Sequence, residues 1–408
     1  MSDTPTPSDG ASEFRRLWNQ LAPVGRLSNG GYRRFSWTPE HARLRSWFVE
    51  QAELRDLKVE TDANGNMFAT WGTGDDKAVL TGSHFDSVPG GGAYDGPLGI
   101  VSAFLAIDRL REEGFTPSRP ITVADFVEEE GGRFGVPCLG SRLSTGAVAP
   151  DKARSLTDAD GTTYAEALTA AGFDPDALGQ APQPAQRFER FVELHVEQGK
   201  SLVYGDRAVG VASAIWPHGR WRFDFTGEGD HAGTTHLTDR RDPMLTFAFT
   251  VLAARKAAAQ EQALATVGRV AVDPGATNAI AAHVSAWLDA RAPDEETLGR
   301  ILSRLDDQAR QRAVKDGTEV AITCESQSAV VNFDHRLRDR ISELLGDAPI
   351  LPTGAGHDAG VLSTELPTAM LFVRNPSGVS HAPAEGATDE DCGTGVQALA
   401  TVLKEFTR

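Results

Sequence analysis

Cysteine is scarce. Cys138, Cys324 and Cys392 are the only three in 408 residues. They are odd in number, far apart and without CxxC spacing, which fits a reducing compartment better than a disulfide framework. Long apolar runs are missing as well: no stretch approaches the roughly 20 residues that a membrane-crossing helix needs. Positive charge is in short supply. Forty Lys and Arg stand against 57 Asp and Glu, a net charge of −17, which argues against nucleic acid and anionic membrane surfaces as partners. A local basic pocket for a small anion stays compatible with that balance. Internal repeats, low-complexity segments and a GxSxG nucleophile motif are all absent. The opening MSDTPTPSDGASEF has no apolar core of a secretory signal and reads as a frayed polar tail. A cytoplasmic enzyme or binding protein is the expectation.

What is present describes an ordinary globular protein, 40% hydrophobic and 24% charged, long enough for two domains. Helical spacing covers Phe14 to Leu21 and Thr38 to Leu54, the latter with Thr38 as N-cap and Pro39 at the first helical position. Lys58 to Thr73 holds two alternating runs around Asp62-Ala63-Asn64-Gly65, a hairpin signal. A buried strand from Val79 precedes a helix with Ile100, Phe104, Ile107 and Leu110 on one face. Ile121 to Phe126 and Phe191 to His195 are further strands, and residues 150–187 read as short helices and loops. Strand and helix in alternation predict an α/β fold with a mainly parallel central sheet flanked by helices. From about Gly219 the pattern changes: Trp221, Phe223 and Phe225 alternate with polar residues, and the order becomes β-α-β-β-α-β. That is the split pattern of a ferredoxin-like α+β domain. The expected organisation is therefore a discontinuous domain, 1–213 and 329–408, with a smaller domain, 214–328, inserted in it.

Residues able to do chemistry gather at strand ends. Between Val79 and Gly99, His84 offers an imidazole, Asp95 a carboxylate able to bridge two cations, and Asp86 is close enough to orient the histidine. The same residues would serve equally well as solvated groups capping a helix. Glu129 and Glu130 end another strand before two glycines, so one carboxylate can hold a metal while the other holds a water. His195 ends a third strand, and His381 lies in the loop after the last one. Five nitrogen and oxygen ligands without thiolate suit two borderline cations such as Zn²⁺ or Mn²⁺. Asp95 would bridge them, with His84 and His195 on one ion and Glu130 and His381 on the other. Glu129 would be the general base that takes a proton from water and gives it to the leaving nitrogen.

Eight segments now carry a resemblance: SHFDSVPGGGAYDGPLG, EEEGGRFG, ELHVEQG, GDHAGTT, PGATNAI, DARAPDE, TGAGHDAG and LFVRNPSGVSHAPAE. From about Leu27 onwards the chain resembles the hydantoinase/carbamoylase branch of the di-metal aminoacylase and carboxypeptidase superfamily. That branch includes N-carbamoyl-L-amino acid hydrolases, β-ureidopropionases and allantoate amidohydrolases. The resemblance implies the ligand set above and the role of Glu129. It also implies that residues 214–328 form a dimerisation and lid domain of a homodimer. His195, where peptidase and deacylase relatives usually carry an acidic ligand, and Gln198 after it mark the branch acting on ureido groups. His231 is similar to the lid histidine that stabilises the tetrahedral oxyanion, often from the other subunit. Asn278 and Arg291 resemble the residues that hold the substrate's carboxylate, assisted by Gln198.

Two departures stand out. His231-Ala232-Gly233-Thr234-Thr235 runs on into His236-Leu237 where many relatives have Pro-Met. AIWPHGRW, with Trp216 and His218, is bulkier than usual. His218 and Arg240 could receive the second ureido arm of allantoate, which tilts the substrate expectation that way. His357 is open between a site-lining and a structural role, and His41, His283 and His335 read as bland. The expected function is metal-dependent hydrolysis of the terminal carbamoyl group of a small ureido acid, allantoate or an N-carbamoyl-L-amino acid, releasing ammonia and carbon dioxide. An N-acyl amino acid deacylase or dipeptidase on the same scaffold is the alternative, opposed by His195. A catalytically dead scaffold protein would have lost a ligand or the base, and all six are present.

Overall fold

The computed structural model describes residues 10–74 and 76–408. Most of the expected frayed tail, residues 1–9, lies outside the described residues, as does residue 75. The remainder of that stretch is not frayed. Helix α1 (Gly10–Leu21) already starts at Gly10, because Phe14, Leu17, Trp18 and Leu21 recur at helical spacing and are buried. Among the described residues no helix is long and apolar enough to cross a membrane.

In α2 (Pro39–Glu53) Pro39 sits at the first position and the Thr38 hydroxyl accepts the His41 N–H. Strands β1 (Lys58–Thr61) and β2 (Met67–Trp71) form an antiparallel hairpin. Its turn is closed by the Asp62 carboxylate, which accepts the Asn64 and Asn66 N–H groups at 2.9 Å, while Gly65 takes φ 92°. Then come β3 (Ala78–Ser83), α3 (Pro97–Glu112), β4 (Ile121–Asp125) and four short helices: α4 (Leu139–Ser144), α5 (Pro150–Arg154), α6 (Tyr164–Ala170) and α7 (Pro184–Arg187). Strand β5 (Phe188–Val196), helix α8 (Ser201–Tyr204) and strand β6 (Val209–Ile215) follow. The split pattern occupies β7 (His218–Thr226), β8 (Asp230–His231), α9 (Pro243–Gln260), β9 (Leu264–Asp273), β10 (Ala279–Ile280), β11 (His283–Arg291), α10 (Glu295–Asp316) and β12 (Glu319–Ser328). The chain closes with β13 (Val331–Asn332), α11 (His335–Leu344), β14 (Ile350–Thr353), α12 (Asp358–Leu362), β15 (Thr368–Val373) and α13 (Asp389–Phe406).

The chain divides into two compact units, one running to Ser213 and resuming at Asn332, the other Ala214–Val331. In the first, the sheet runs β1-β2-β4-β3-β5-β15-β6. The four strands β4-β3-β5-β15 are mutually parallel, while β1, β2 and β6 pair antiparallel. Strands β3, β4 and β15 are buried along their whole length, as parallel strands covered on both faces must be. On one face α3, apolar nearly all round, packs with α1 and α13 in the main core of Phe14, Trp18, Phe104, Leu194, Leu371 and Leu399. In the second unit the sheet order is β12-β7-β11-β9, antiparallel throughout. Trp221, Phe223, Phe225, Val284, Ala286 and Leu288 face α9 and α10, through Ala254, Ala257, Leu298 and Ile301. This is the ferredoxin-like arrangement, and it extends past Ser328 to Val331.

Candidate metal centre and active site

The candidate ligands sit at the carboxyl ends of four neighbouring parallel strands or on the loops leaving them. His84 follows β3, Glu129 and Glu130 follow β4, His195 is the penultimate residue of β5, and His381 lies beyond β15. Asp95 ends the loop between β3 and α3. In open α/β sheets this is where ligands bind.

Asp95 is central. Its Oδ1 lies 3.1 Å from His195 Nε2 and 3.4 Å from His84 Nε2. Its Oδ2 lies 3.4 Å from His381 Nε2, which is also 3.4 Å from Glu130 Oε2. One carboxylate thus contributes to two triads, His84–Asp95–His195 and Asp95–Glu130–His381, each compact enough to hold an ion. The tautomers follow from the far side of the rings. His84 Nδ1 is 3.1 Å from the Asp86 carbonyl and His195 Nδ1 is 2.9 Å from the Val196 carbonyl. A carbonyl only accepts, so each Nδ1 carries a hydrogen and each ring turns its Nε2 towards Asp95. Burial works against a charged ring, but Glu129 beside His84 and Asp95 beside His195 raise both imidazoles above their ordinary value, so a proton shares each Nε2 position until a cation replaces it. His84 Nε2 is fully buried with no hydrogen-bond partner among the described residues. A lone pair facing a carboxylate oxygen is repulsive until a proton or a cation comes between them. The donor set therefore fits divalent cations.

Asp86 serves the centre twice. Its carbonyl orients His84, and its carboxylate accepts the Glu129 and Glu130 N–H groups, each at 3.0 Å. Glu128 before them takes φ 57°, a left-handed conformation costing about 1–2 kcal/mol for a side chain with a Cβ. The turn is held by Glu128's carboxylate accepting the Arg133 and Phe134 N–H groups at 3.1 and 2.8 Å. As a result the adjacent glutamates diverge. Glu130 faces His381, while Glu129 Oε2 lies 3.6 Å from His84 Nε2 and its Oε1 accepts the Cys138 thiol at 3.4 Å. Gly96 makes room for the first histidine: a Cβ there would stand 2.5 Å from the His84 ring, at a φ of +85°. Gln198 Nε2 donates to Asp95 Oδ2 at 2.8 Å and to Ser380 Oγ at 3.1 Å. Gln198 Oε1 is buried and finds no partner among the described residues.

The electrostatics match. Burial pushes Glu129 well above the usual carboxylate range, and Asp358, Glu130 and Asp86 add to the push against the pull of His84. Burial and then Asp95 move Glu130 up to about 8. Burial works against ionised Asp95 too, but His195, His381 and His84 overcome it and hold this carboxyl well below its ordinary value. The hydrogen bond to Asp95 raises His381 to about 9. The cluster thus has more negative charge than it can keep without protons, which cations would displace.

The remaining expected residues lie in the second unit as two neighbouring pairs. His231 pairs with Ala279 across β8 and β10, and the Ala232 N–H bonds the Asn278 carbonyl at 3.0 Å, which sets His231 and Asn278 side by side. Arg291 ends β11 directly opposite His218 in β7. Its guanidinium holds Asp289 at 2.8 and 3.2 Å. Arg240 does not offer itself as a pocket group: it bonds the Ala232 and Thr235 carbonyls of its own loop at 2.8–3.1 Å.

The profile of Peptidase family M20/M25/M40 matches residues 80–405. The chain belongs to this family. Over 404 residues it is 36% identical to an N-carbamoyl-L-amino acid amidohydrolase of Geobacillus stearothermophilus, covering 94% of this chain and 96% of that one. It is 31% identical to the allantoate amidohydrolase of Escherichia coli K12, with 95% of both chains covered. Among solved structures, an amidase of the hydantoinase/carbamoylase family from Burkholderia multivorans superposes with a TM-score of 0.89 at 30% identity, covering 97% of this chain and 98% of the other.

In this M20/M25/M40 member two further residues of the site, Glu385 and Glu193, went unmarked in the sequence. Glu385 accepts the Tyr94 and Asp95 N–H groups at 2.8 and 2.9 Å, and its position four residues beyond His381 was the available signal. Glu193, two residues before His195 and so on the same face of β5, accepts the Ser83 hydroxyl at 2.8 Å and the Ala359 N–H at 3.0 Å. Cys138 touches Glu129. His357 is buried 4.5 Å, ring to ring, from His195, and its Nε2 has no hydrogen-bond partner among the described residues. His41 is structural, its Nδ1 accepting the Trp37 N–H at 3.1 Å.

Proposed function

We propose that the chain is a metal-dependent amidohydrolase that removes the terminal carbamoyl group of a ureido acid. The observation that carries this reading is the Asp95-centred pair of triads with a histidine, His195, in the first of them. His84, Asp95 and His195 would hold one divalent cation, and Asp95, Glu130 and His381 the other, as Zn²⁺ or Mn²⁺. When bound, the pair supplies Lewis-acid polarisation of the ureido carbonyl and a water acidified to near neutral pH.

The chain's own groups do the rest. Glu129 takes the proton of the attacking water and delivers it to the departing nitrogen as the C–N bond breaks. Burial raises the affinity of this carboxylate for a proton, which favours the first half of that transfer. The unpartnered Gln198 Oε1 would accept a ureido N–H, which an N-acyl group's methyl cannot offer. Arg291, once it exchanges the Asp289 carboxylate it now holds for the substrate's, would bind that group together with Asn278. His231 would donate to the developing oxyanion, worth roughly 3–4 kcal/mol in the transition state. With Arg240 committed to its own loop, allantoate's second arm has one fewer polar group to meet. That favours an N-carbamoyl-L-amino acid as substrate, with allantoate as the second reading. Ammonia release by the metal-loaded enzyme decides: N-carbamoyl-L-amino acids should turn over, allantoate more slowly and N-acetyl amino acids negligibly. Turnover of the N-acetyl compounds alone would replace this reading with the deacylase one.

Ion uptake should be pH-dependent. His381 near 9 and Glu130 near 8 keep their protons at neutral pH, so binding must expel them. Affinity is expected to rise from pH 6 towards 9. Calorimetry in buffers of different ionisation enthalpy should show proton release, and a flat profile without it would contradict the ligand assignment.

The second unit is the proposed dimerisation and lid unit. Support comes from exposed apolar side chains, Leu245, Phe249 and Leu252 on α9 and Leu264, Val270 and Val272 on the edge strand β9. Such a face on an edge strand invites a second copy. The wild type should sediment as a dimer and Leu252→Glu with Val270→Lys as a monomer. If His231 acts from the partner, the monomer also loses kcat. A fully active monomer would end that role.

A further inference from the structure

We propose that Glu385, acting with Ser380, is a positioning residue that clamps bridging Asp95 and supports above all the ion on the Glu130–His381 side. The proposal rests on the two-cation reading. Glu385 is 6% exposed, and its carboxylate is spent on the other loop. Oε1 accepts the main-chain N–H groups of Tyr94 and of Asp95 itself, at 2.8 and 2.9 Å. Oε2 lies 3.3 Å from Ser380 Oγ. That hydroxyl is also 3.2 Å from Asp95 Oδ2 and accepts the Gln198 amide at 3.1 Å.

The loop before Asp95 is shaped around this carboxylate. A Cβ at Gly92 would stand 2.2 Å from the Glu385 carboxyl carbon, so only glycine admits it. Both ends of Asp95, its amide and its Oδ2, are therefore tied to the segment that carries His381. Oδ1 has different neighbours, His84 and His195, each with its own carbonyl anchor. The clamp is thus lopsided. Loosening it frees Oδ2 relative to His381 and Glu130 while His84 and His195 stay in place.

The test is titration of the ion-free chain with Mn²⁺ or Co²⁺ alone, read by calorimetry and by the Co²⁺ absorption spectrum. The apo melting temperature is followed alongside. The wild type should take up two ions. Glu385→Ala should lose about 10–100-fold in affinity for one of them, keeping the other and its Co²⁺ spectrum. Glu385→Gln, which retains an acceptor for the two N–H groups, should recover part of the loss. Ser380→Ala removes only the Oδ2 link and should weaken the same ion with the fold intact, so it decides the matter if Glu385→Ala does not fold. Two ions at wild-type affinity in Glu385→Ala, or in Ser380→Ala, would overturn the proposal. So would equal weakening of both ions in a folded variant. A wild type that binds no ion would overturn the two-cation reading and this proposal together.

Discussion

Glu129→Gln is expected to lower kcat by about 10²–10⁴-fold while leaving KM and the uptake of both ions nearly unchanged. The amide matches the carboxylate in size, so it can sit between His84 Nε2, at 3.6 Å, and the Cys138 thiol, at 3.4 Å. It cannot take a proton from water. A thousandfold loss corresponds to about 4 kcal/mol of transition-state stabilisation, too much for the mere loss of a polar contact. The buried carboxylate is also uphill to ionise, so its removal should not destabilise the fold. Ammonia release gives kcat and calorimetry gives ion uptake. A variant within tenfold of the wild type would transfer the base role elsewhere, with buried His357 the next group to test.

Asp95→Asn should cost more. An amide has one oxygen to offer where the carboxylate divides two between His84–His195 and His381–Glu130. Both ions should weaken together, with activity falling below detection. The ion-dependent rise in melting temperature should vanish with them. At a thousand times Kd, one bound ion stabilises the native state by about 4 kcal/mol, an effect easily seen in a thermal scan. The contrast with Glu385→Ala is what gives the pair of variants its power. The bridging residue should lose two ions, the clamp one. An Asp95→Asn chain that still holds two ions tightly would remove Asp95 from the bridging position.

The legible parts of the molecule are those whose chemistry is local in the chain. His84, Asp95, Glu130, His195 and His381 stand at strand ends visible as the ends of apolar runs, and the structure gathers them around one carboxylate. The alternation of Trp221, Phe223 and Phe225 announced the smaller sheet, and those three rings are its buried face. What escaped depends on packing. Residues 10–14 are polar enough to pass for tail, and only burial of Phe14 against the core makes them helix. Glu385 carried no mark in the sequence, since its two N–H partners lie in a segment far away along the chain. Arg240 looked available for a substrate because sequence cannot show a guanidinium already engaged by carbonyls of its own loop.

The place of β15 between β5 and β6 has a consequence for how the chain is made. Those two strands are neighbours in sequence but not in the sheet, and the slot between them is filled by residues 368–373, which leave the ribosome after the entire second unit. Synthesis proceeds at about 5–20 residues per second, so the slot stays open for many seconds. Throughout that interval β5 presents an unpaired edge, with His195 on it, to any other nascent chain. The second unit, with a sheet of its own, is made entirely within that interval. Arrival of β15 seals the edge and, in the same stroke, brings in His381 and Glu385, which follow it in the chain.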